Sequence, residues 1–127
     1  MSPQDVVTAF IEAVERKDLE AAAGHLAETV SYENMPVKPI VGRAAVVKAI
    51  AGFVGSAAEV DWRILRTVEV GRTVINERVD RFRIGDGWME LPCAGFFEVD
   101  GDGHITLWRD YFDMGSYQRQ FAALSGS

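Results

Sequence analysis

The sequence predicts an α+β domain in which helices come first and an antiparallel meander of strands follows. Three observations support this prediction: helical spacing of apolar residues up to about Phe53, strand-like segments after about Glu59, and glycine-rich turns between those later strands. At 127 residues the chain is long enough for one hydrophobic core, and we expect a single domain over residues 1–127.

The first part of the chain contains three predicted helices. The first begins at Ser2-Pro3, where a capping serine precedes a proline at the first helical position. The second runs from about Asp18 to Leu26, and the third from Gly42 to about Phe53. Between them, the segment from residue 36 to residue 39 begins and ends with proline, which donates no hydrogen bond to a sheet, so a loop is expected there.

Strands are predicted before the third helix and throughout the second half of the chain. Short turns with glycine, such as Gly71-Arg72 and Gly85-Asp86-Gly87, separate the later strands and indicate an antiparallel meander. A closing helix from Gly115 to Leu124 is expected to turn its apolar side chains inward, namely Tyr117, Phe121 and Leu124. The predicted strands are Val30–Asn34, Glu59–Val70, Thr73–Ile84, Trp88–Val99 and Ile105–Phe112.

Composition narrows the classes of function. The net charge of −6 argues against binding to nucleic-acid phosphates and to anionic membranes. A single cysteine, Cys93, allows no internal disulfide and suits a reducing compartment. The N-terminus lacks a basic segment followed by an apolar one, and no apolar run approaches the ~20 residues that span a bilayer. We therefore expect a cytoplasmic protein that meets its substrate in solution.

Three short segments bring together groups suited to acid–base chemistry. They are Tyr32-Glu33-Asn34, Arg78-Val79-Asp80 and Trp108-Arg109-Asp110, and strand alternation puts the first and third residue of each on one face. If those faces line one cavity, two carboxylates, a guanidinium, a phenol and an amide form a general acid/base site. Neither face of the strands at 73–84 and 105–112 is cleanly apolar, so ordinary surface salt bridges, worth at most about 1 kcal/mol, stay open as the alternative.

The order of several motifs resembles the limonene-1,2-epoxide hydrolase family, a branch of the NTF2-like, or cystatin-like, cone folds. The resemblance extends over nearly the whole chain. It implies a cone in which the N-terminal helices pack into the concavity of a strongly curved, mixed β-sheet. It also implies an enzyme without a cofactor or metal, and a homodimer by analogy with the fold. The matching motifs are Tyr32-Glu33-Asn34-Met35-Pro36, Gly42-Arg43, Glu77-Arg78-Val79-Asp80 and Trp108-Arg109-Asp110-Tyr111-Phe112-Asp113.

The resemblance also implies a role for each polar residue. Asp110 would be the general base that takes a proton from water, and Tyr32 and Asn34 would hold that water. Asp80 would give its proton to the epoxide oxygen, and Arg78 would orient both carboxyl groups. The implied reaction adds water to an apolar epoxide, cyclic or terpene-like, in one step without a covalent intermediate and gives a vicinal diol.

Apolar residues near these motifs are candidates for a substrate-binding wall. A ketosteroid-isomerase-like or polyketide-cyclase-like enzyme, or a non-catalytic small-molecule binding module on the same fold, remains the alternative. Two isolated histidines, His25 and His104, make no metal site. The candidate substrate-binding residues are Phe53, Phe82, Leu91, Cys93, Trp108, Phe112 and Tyr117.

Overall fold

The computed structural model describes residues 1–125 and places four helices and six strands in them. The helices are α1 (Pro3–Glu15), α2 (Leu19–Gly24), α3 (Arg43–Gly55) and α4 (Met114–Leu124). The strands are β1 (Leu26–Met35), β2 (Ile40–Val41), β3 (Glu59–Val70), β4 (Thr73–Ile84), β5 (Gly87–Val99) and β6 (Ile105–Phe112).

The strands form one sheet in the order β2-β1-β6-β5-β4-β3. From β3 to β6 each strand pairs antiparallel with the next, as the turns between them predicted. The first long strand, β1, joins the meander by pairing parallel with β6, so the sheet is mixed. Helices α1 and α3 pack against the sheet and bury the apolar stripes that their spacing indicated. The α+β prediction is therefore confirmed.

The N-terminal helix illustrates how local sequence sets the fold. The Ser2 hydroxyl accepts a hydrogen bond from the Asp5 amide, and the Asp5 carboxylate accepts one from the Ser2 amide, each at 3.1 Å. This reciprocal cap satisfies amides that the first helical turn would otherwise leave unpaired. At its other end, the Glu15 carboxylate accepts a hydrogen bond from the backbone amide of Trp62 at 2.9 Å, which ties α1 to β3.

The predicted boundary between the second helix and the first strand is wrong, and the strand β2 had no predicted counterpart. Leu26, which was placed in the second helix, begins β1, because α2 ends at Gly24 and His25 caps it. The predicted loop between Pro36 and Pro39 is followed at once by the two-residue strand β2, which pairs with Ser31 and Tyr32 of β1. Such a short strand after a proline carries no alternation that a sequence pattern could reveal.

The inward face of β4 is the one that carries Asn76, Arg78 and Asp80 between Val74 and Phe82, which answers the question that alternation left open. Along that face Asn76, Arg78 and Asp80 are buried, and Asp110 of β6 is buried beside them. The opposite face of β4 is partly exposed. The alternative that these residues form ordinary surface salt bridges is therefore wrong. Within residues 1–125, no helix combines the length and apolar character that crossing a membrane requires.

Candidate active site

Arg78 lies at the centre of a buried cluster of polar side chains. Its side chain is fully buried. Nε and Nη2 donate to the two carboxylate oxygens of Asp80 at 2.9 and 3.0 Å, and Nη2 also donates to Oδ2 of Asp110 at 3.0 Å. A buried charge is tolerated only when it is paired and hydrogen bonded. One guanidinium thus joins two carboxyl groups that come from strands lying on either side of β5.

Sheet register explains why these residues meet. Arg78 and Asp80 are two residues apart on β4 and so share a face. Cys93 of β5 lies opposite Arg78 on one side and opposite Phe112 of β6 on the other. Its sulfur lies 3.1 Å from Nη2 of Arg78, and burial raises the pKa of its thiol. Cys93 is therefore a neutral member of the cluster rather than a nucleophile.

The phenol and amide enter the site from β1. Because β1 runs parallel to β6, Tyr32 lies opposite Trp108 and Asn34 lies opposite Asp110. The Tyr32 ring stacks on Trp108 with centroids 3.8 Å apart. Burial, and then the negative charge of Asp110, raise the pKa of Tyr32, so its phenol stays protonated and can donate a hydrogen bond. The three segments singled out in the sequence do converge.

Asp110 has the electrostatic environment of a base near neutrality. Burial raises its pKa to about 6, although the Arg78 charge opposes the shift. The pKa rises because a low-dielectric site penalises the charged form, and because the neighbouring charge of Asp80 adds to that penalty. Its Oδ1 accepts no hydrogen bond from the described residues, whereas Oδ2 is held by Arg78. The carboxylate therefore keeps unused acceptor capacity.

A cavity of about 230 Å³ extends from the polar cluster into the apolar interior of the cone. The residues predicted for the acid–base pair lie at one part of its wall, and aromatic and aliphatic side chains form most of the rest. Such a cavity suits an apolar molecule with one polar group to be recognised. It is lined by Tyr32, Asn34, Val37, Phe53, Trp62, Asp80, Phe82, Leu91, Asp110, Phe112, Met114 and Tyr117.

Two residues predicted to contact substrate lie outside the cavity lining. Trp108 is fully buried behind it, between the rings of Tyr32 and Phe97. Cys93 is drawn under the cavity floor by its contact with Arg78. Conversely, Val37, Trp62 and Met114 line the cavity although no pattern in the sequence indicated it.

The donor set also has to be tested for a metal ion. Ligand atoms of Asp80, Cys93 and Asp110 lie within 4.8 Å of one another. All three are in contact with Arg78, however, so its guanidinium already supplies the positive charge that a metal would bring. A metal would have to displace a buried arginine, and the donor set does not fit one.

Comparisons with known proteins identify relatives of this chain. The model of the limonene-1,2-epoxide hydrolase catalytic domain matches residues 1–122. Epoxide hydrolase EphG of Mycobacterium tuberculosis is 36% identical over 111 residues, which is 85% of this chain and 71% of that protein.

Two solved structures are also similar to this chain. An LEH-like epoxide hydrolase of M. tuberculosis superposes with a TM-score of 0.81 at 32% identity, covering 94% of this chain and 92% of that one. An NTF2-like protein of Burkholderia pseudomallei, at 19% identity and a TM-score of 0.81, covers all of both chains and shares the fold. The match of the family model and the identity to these relatives confirm the resemblance, and this chain belongs to the limonene-1,2-epoxide hydrolase family.

Proposed function

We propose that this protein is an epoxide hydrolase that adds water to a small apolar epoxide and releases a vicinal diol. One observation carries the proposal: Arg78 holds the carboxyl groups of Asp80 and Asp110 together at the wall of a largely apolar cavity. A strained three-membered ring needs a nucleophile on carbon and a proton on oxygen, and two carboxyl groups can supply both. Membership of the family supports the same reaction.

In the proposed step, Asp110 is the base and Asp80 the acid. Water attacks a ring carbon, the bond from that carbon to the epoxide oxygen breaks, and the bonding electrons pass to the oxygen. Asp110 takes the proton lost by the water, and Asp80 gives its proton to the oxygen. A return of the proton from Asp110 to Asp80 through solvent completes the cycle. No covalent ester forms, and no cofactor takes part.

The assignment of base and acid rests on the neighbours of each carboxyl group. Tyr32 and Asn34 lie opposite Trp108 and Asp110 in the parallel pair of strands, so phenol, amide and carboxylate can hold one water. Asp80 lies opposite Trp62, within the aromatic part of the cavity where an apolar epoxide would sit.

The cluster also accounts for the protonation that the step requires. If both carboxyl groups were ionised beside one guanidinium, the buried cluster would carry a net negative charge, which a low-dielectric site disfavours. The proposed step therefore has one proton on the pair, which Asp80 gives to the epoxide oxygen. Sites with two carboxyl groups in different environments use the same arrangement for acid and base roles.

Cavity size limits the substrate. A volume of about 230 Å³ lies below the roughly 300–1,000 Å³ of pockets that hold drug-sized ligands. A cyclic or terpene-like epoxide fits this limit and the aromatic wall.

The proposed setting is the cytoplasm, with residues 1–127 forming a single domain.

The rate should depend on pH through Asp110. With a pKa raised to about 6, this carboxyl is ionised above that pH and protonated below it. We expect kcat/KM to fall about tenfold per pH unit below pH 6, because the protonated form cannot accept a proton from water. A profile of kcat/KM from pH 4.5 to 9 measures this limb, and a rate that stays flat down to pH 4.5 contradicts the assignment.

The function is tested by incubating the protein with limonene oxide and cyclohexene oxide in the presence of a chelator and measuring diol. Diol above background is expected. A single turnover in ¹⁸O-labelled water should place the label in the diol, since water attacks directly; unlabelled diol in that first turnover would indicate a covalent ester instead. Absence of diol from both epoxides, with proton exchange on an enone steroid, would favour the isomerase interpretation.

A homodimer is proposed to form through the sheet face that the helices leave uncovered. Val68 of β3 and Tyr111 of β6 are 51% and 44% exposed, and Phe96 packs edge-on against Tyr111 on the same face. Exposed apolar area of this kind marks association surfaces. Sedimentation should give a dimer for the wild type and a monomer for Val68→Asp; a monomeric wild type at micromolar concentration rejects the proposal.

A further inference from the structure

Gly95 lies directly under the guanidinium of Arg78. On β5 it is opposite Asn76 of β4 on one side and Asp110 of β6 on the other. A β-carbon at this position would collide with Nη1 of Arg78 and would lie 2.9 Å both from Oδ1 of Asn76 and from Oδ1 of Asp110. Polar atoms of three side chains therefore fill the space that any other residue would occupy with its own side chain.

The backbone gives no other reason for a glycine at this position. Glycines with positive φ in the described chain include Gly71 and Gly85, which lie in turns, whereas Gly95 is not among them. Glycine within a strand weakens it, and often marks a close approach of another group. The neighbouring inward positions of β5, Cys93 and Phe97, carry buried side chains. The glycine is thus explained by the space that Arg78 needs.

Asn76 binds the one nitrogen of the guanidinium that neither carboxyl group engages. Its Oδ1 accepts a hydrogen bond from Nη1 of Arg78 at 2.8 Å. Nε and Nη2 are engaged by Asp80 and Asp110, so all three nitrogens of the guanidinium have partners. Asn76 is 1% exposed, and its Nδ2 has no partner among the described residues. Burial of an unpaired amide costs about 1–3 kcal/mol, so Asn76 is not an optimal choice for stability.

We propose that Gly95 and Asn76 are positioning residues that fix the plane of the Arg78 guanidinium, and through it the relative placement of the two carboxyl groups. Gly95 provides the space that Nη1 of Arg78 occupies, and Asn76 provides the hydrogen bond that holds Nη1 there. Neither residue lines the cavity. The inference rests on the proposed function, because the placement matters only if the distance between the acid and the base affects the rate of the reaction.

The first test is Gly95→Ala. The added methyl group displaces the Arg78 guanidinium, and a misplacement of about 1 Å in a catalytic arrangement can cost about 10²-fold in rate. Since the Arg78 charge lowers the pKa of Asp110, its displacement should also move the acid limb of kcat/KM to higher pH. The charged and titratable groups that face Asp110 are Arg78 and Asp80 from β4, Cys93 from β5 and Tyr32 from β1.

The matched control is Gly87→Ala, on the same strand. There the new methyl group would collide with the Leu124 side chain of α4 rather than with a polar atom. The end of the leucine side chain can move aside, so any loss of thermal stability should be small and the acid limb should stay in place. If Gly95→Ala also leaves the acid limb in place, Gly95 has a packing role and the proposal is wrong.

The second test is Asn76→Leu, which removes the hydrogen bond to Arg78 together with the unpaired amide nitrogen. We expect the melting temperature to fall, because Nη1 of the buried guanidinium loses its partner, and kcat/KM to fall at least tenfold. Titration of the Asp110 carboxyl carbon by ¹³C NMR measures, without substrate, how the position of Arg78 affects the pKa of Asp110. This pKa should rise in Asn76→Leu and in Gly95→Ala. This readout separates the two hypotheses: an unchanged titration overturns the positioning role, whereas a wild type without hydrolase activity overturns only the proposed function.

Discussion

Replacing Asp110 by asparagine is expected to lower kcat/KM for epoxide hydrolysis by about 10²- to 10⁴-fold, the range that a positioned acid or base contributes. The amide has nearly the shape of the carboxylate, and its oxygen can still accept the hydrogen bond that Arg78 donates to Oδ2 at 3.0 Å. What it loses is the ability to take a proton from water. Initial rates of diol formation, measured with the melting temperature of each variant, check the result.

Asp113→Asn is the matched control for that substitution. Asp113 lies three residues further along the same motif, and its side chain accepts a hydrogen bond from the Ser116 amide as the N-cap of α4. Asparagine caps helices as well as aspartate does, so stability and rate should both be kept. Turnover by Asp110→Asn within a few-fold of the wild type would remove Asp110 from the role of base. The same loss in both variants would point to damage at α4.

The fold could be predicted from the sequence because local sequence signals mark most of its helices and strands. The cap at Ser2-Pro3 and the glycine turns at Gly71 and Gly85 mark where elements begin and end. The orientation of the sheet was not accessible in the same way. Arg78 and Asp80 face the interior and so break the apolar alternation that identifies a buried face, as residues of functional sites often do. Family resemblance, not periodicity, placed them inside.

Trp62 shows a second limit, which is the register of a hairpin. Val70 pairs with Thr73 across the turn, and counting back from there would place Trp62 opposite Arg81. A bulge between Ile64 and Arg66 shifts the pairing by one residue, so Trp62 lies opposite Asp80 and lines the cavity. A shift of one residue moves a side chain to the other face of a sheet, and no sequence signal identified this bulge.

The position of Gly95, unlike that of Trp62, can be predicted from the register of its hairpin. No register shift interrupts the pairing of β4 and β5, so counting from the Gly85-Asp86 turn does place Gly95 beside Asn76. The information was in the sequence, but a glycine within a strand indicates only a weak point until the group that approaches it is known.

Replacing Arg78 by methionine is expected to cost about 3–5 kcal/mol of unfolding free energy at pH 8, the penalty for leaving a buried charge without its partner. Arg78 is the partner of both Asp80 and Asp110, and its side chain is fully buried. Its charge lowers the pKa of Asp110, so without it that pKa rises further above about 6. Denaturation by urea at one protein concentration, at pH 8 and at pH 5, measures the loss.

The sign of the pH dependence follows from proton linkage. A carboxyl whose pKa is higher in the folded than in the unfolded state binds protons more tightly when folded, so stability increases as the pH falls through the folded value. The deficit of Arg78→Met should therefore be smaller at pH 5 than at pH 8. A loss below 1 kcal/mol, or an equal loss at both pH values, would contradict the view that the arginine compensates two buried carboxyl groups.

Two further variants separate charge from geometry. Arg66→Met removes an exposed ion pair with Glu77, in which the side chains are 76% and 51% exposed, so the cost should be at most about 1 kcal/mol. Arg78→Lys keeps the charge, but an ammonium cannot make the planar, two-pronged contact that the guanidinium makes with Asp80. We expect Arg78→Lys to recover part of the stability at pH 8 and little of the hydrolase activity. Recovery of both would show that Arg78 acts through its charge alone, and that its planar contacts do not set the distance between acid and base.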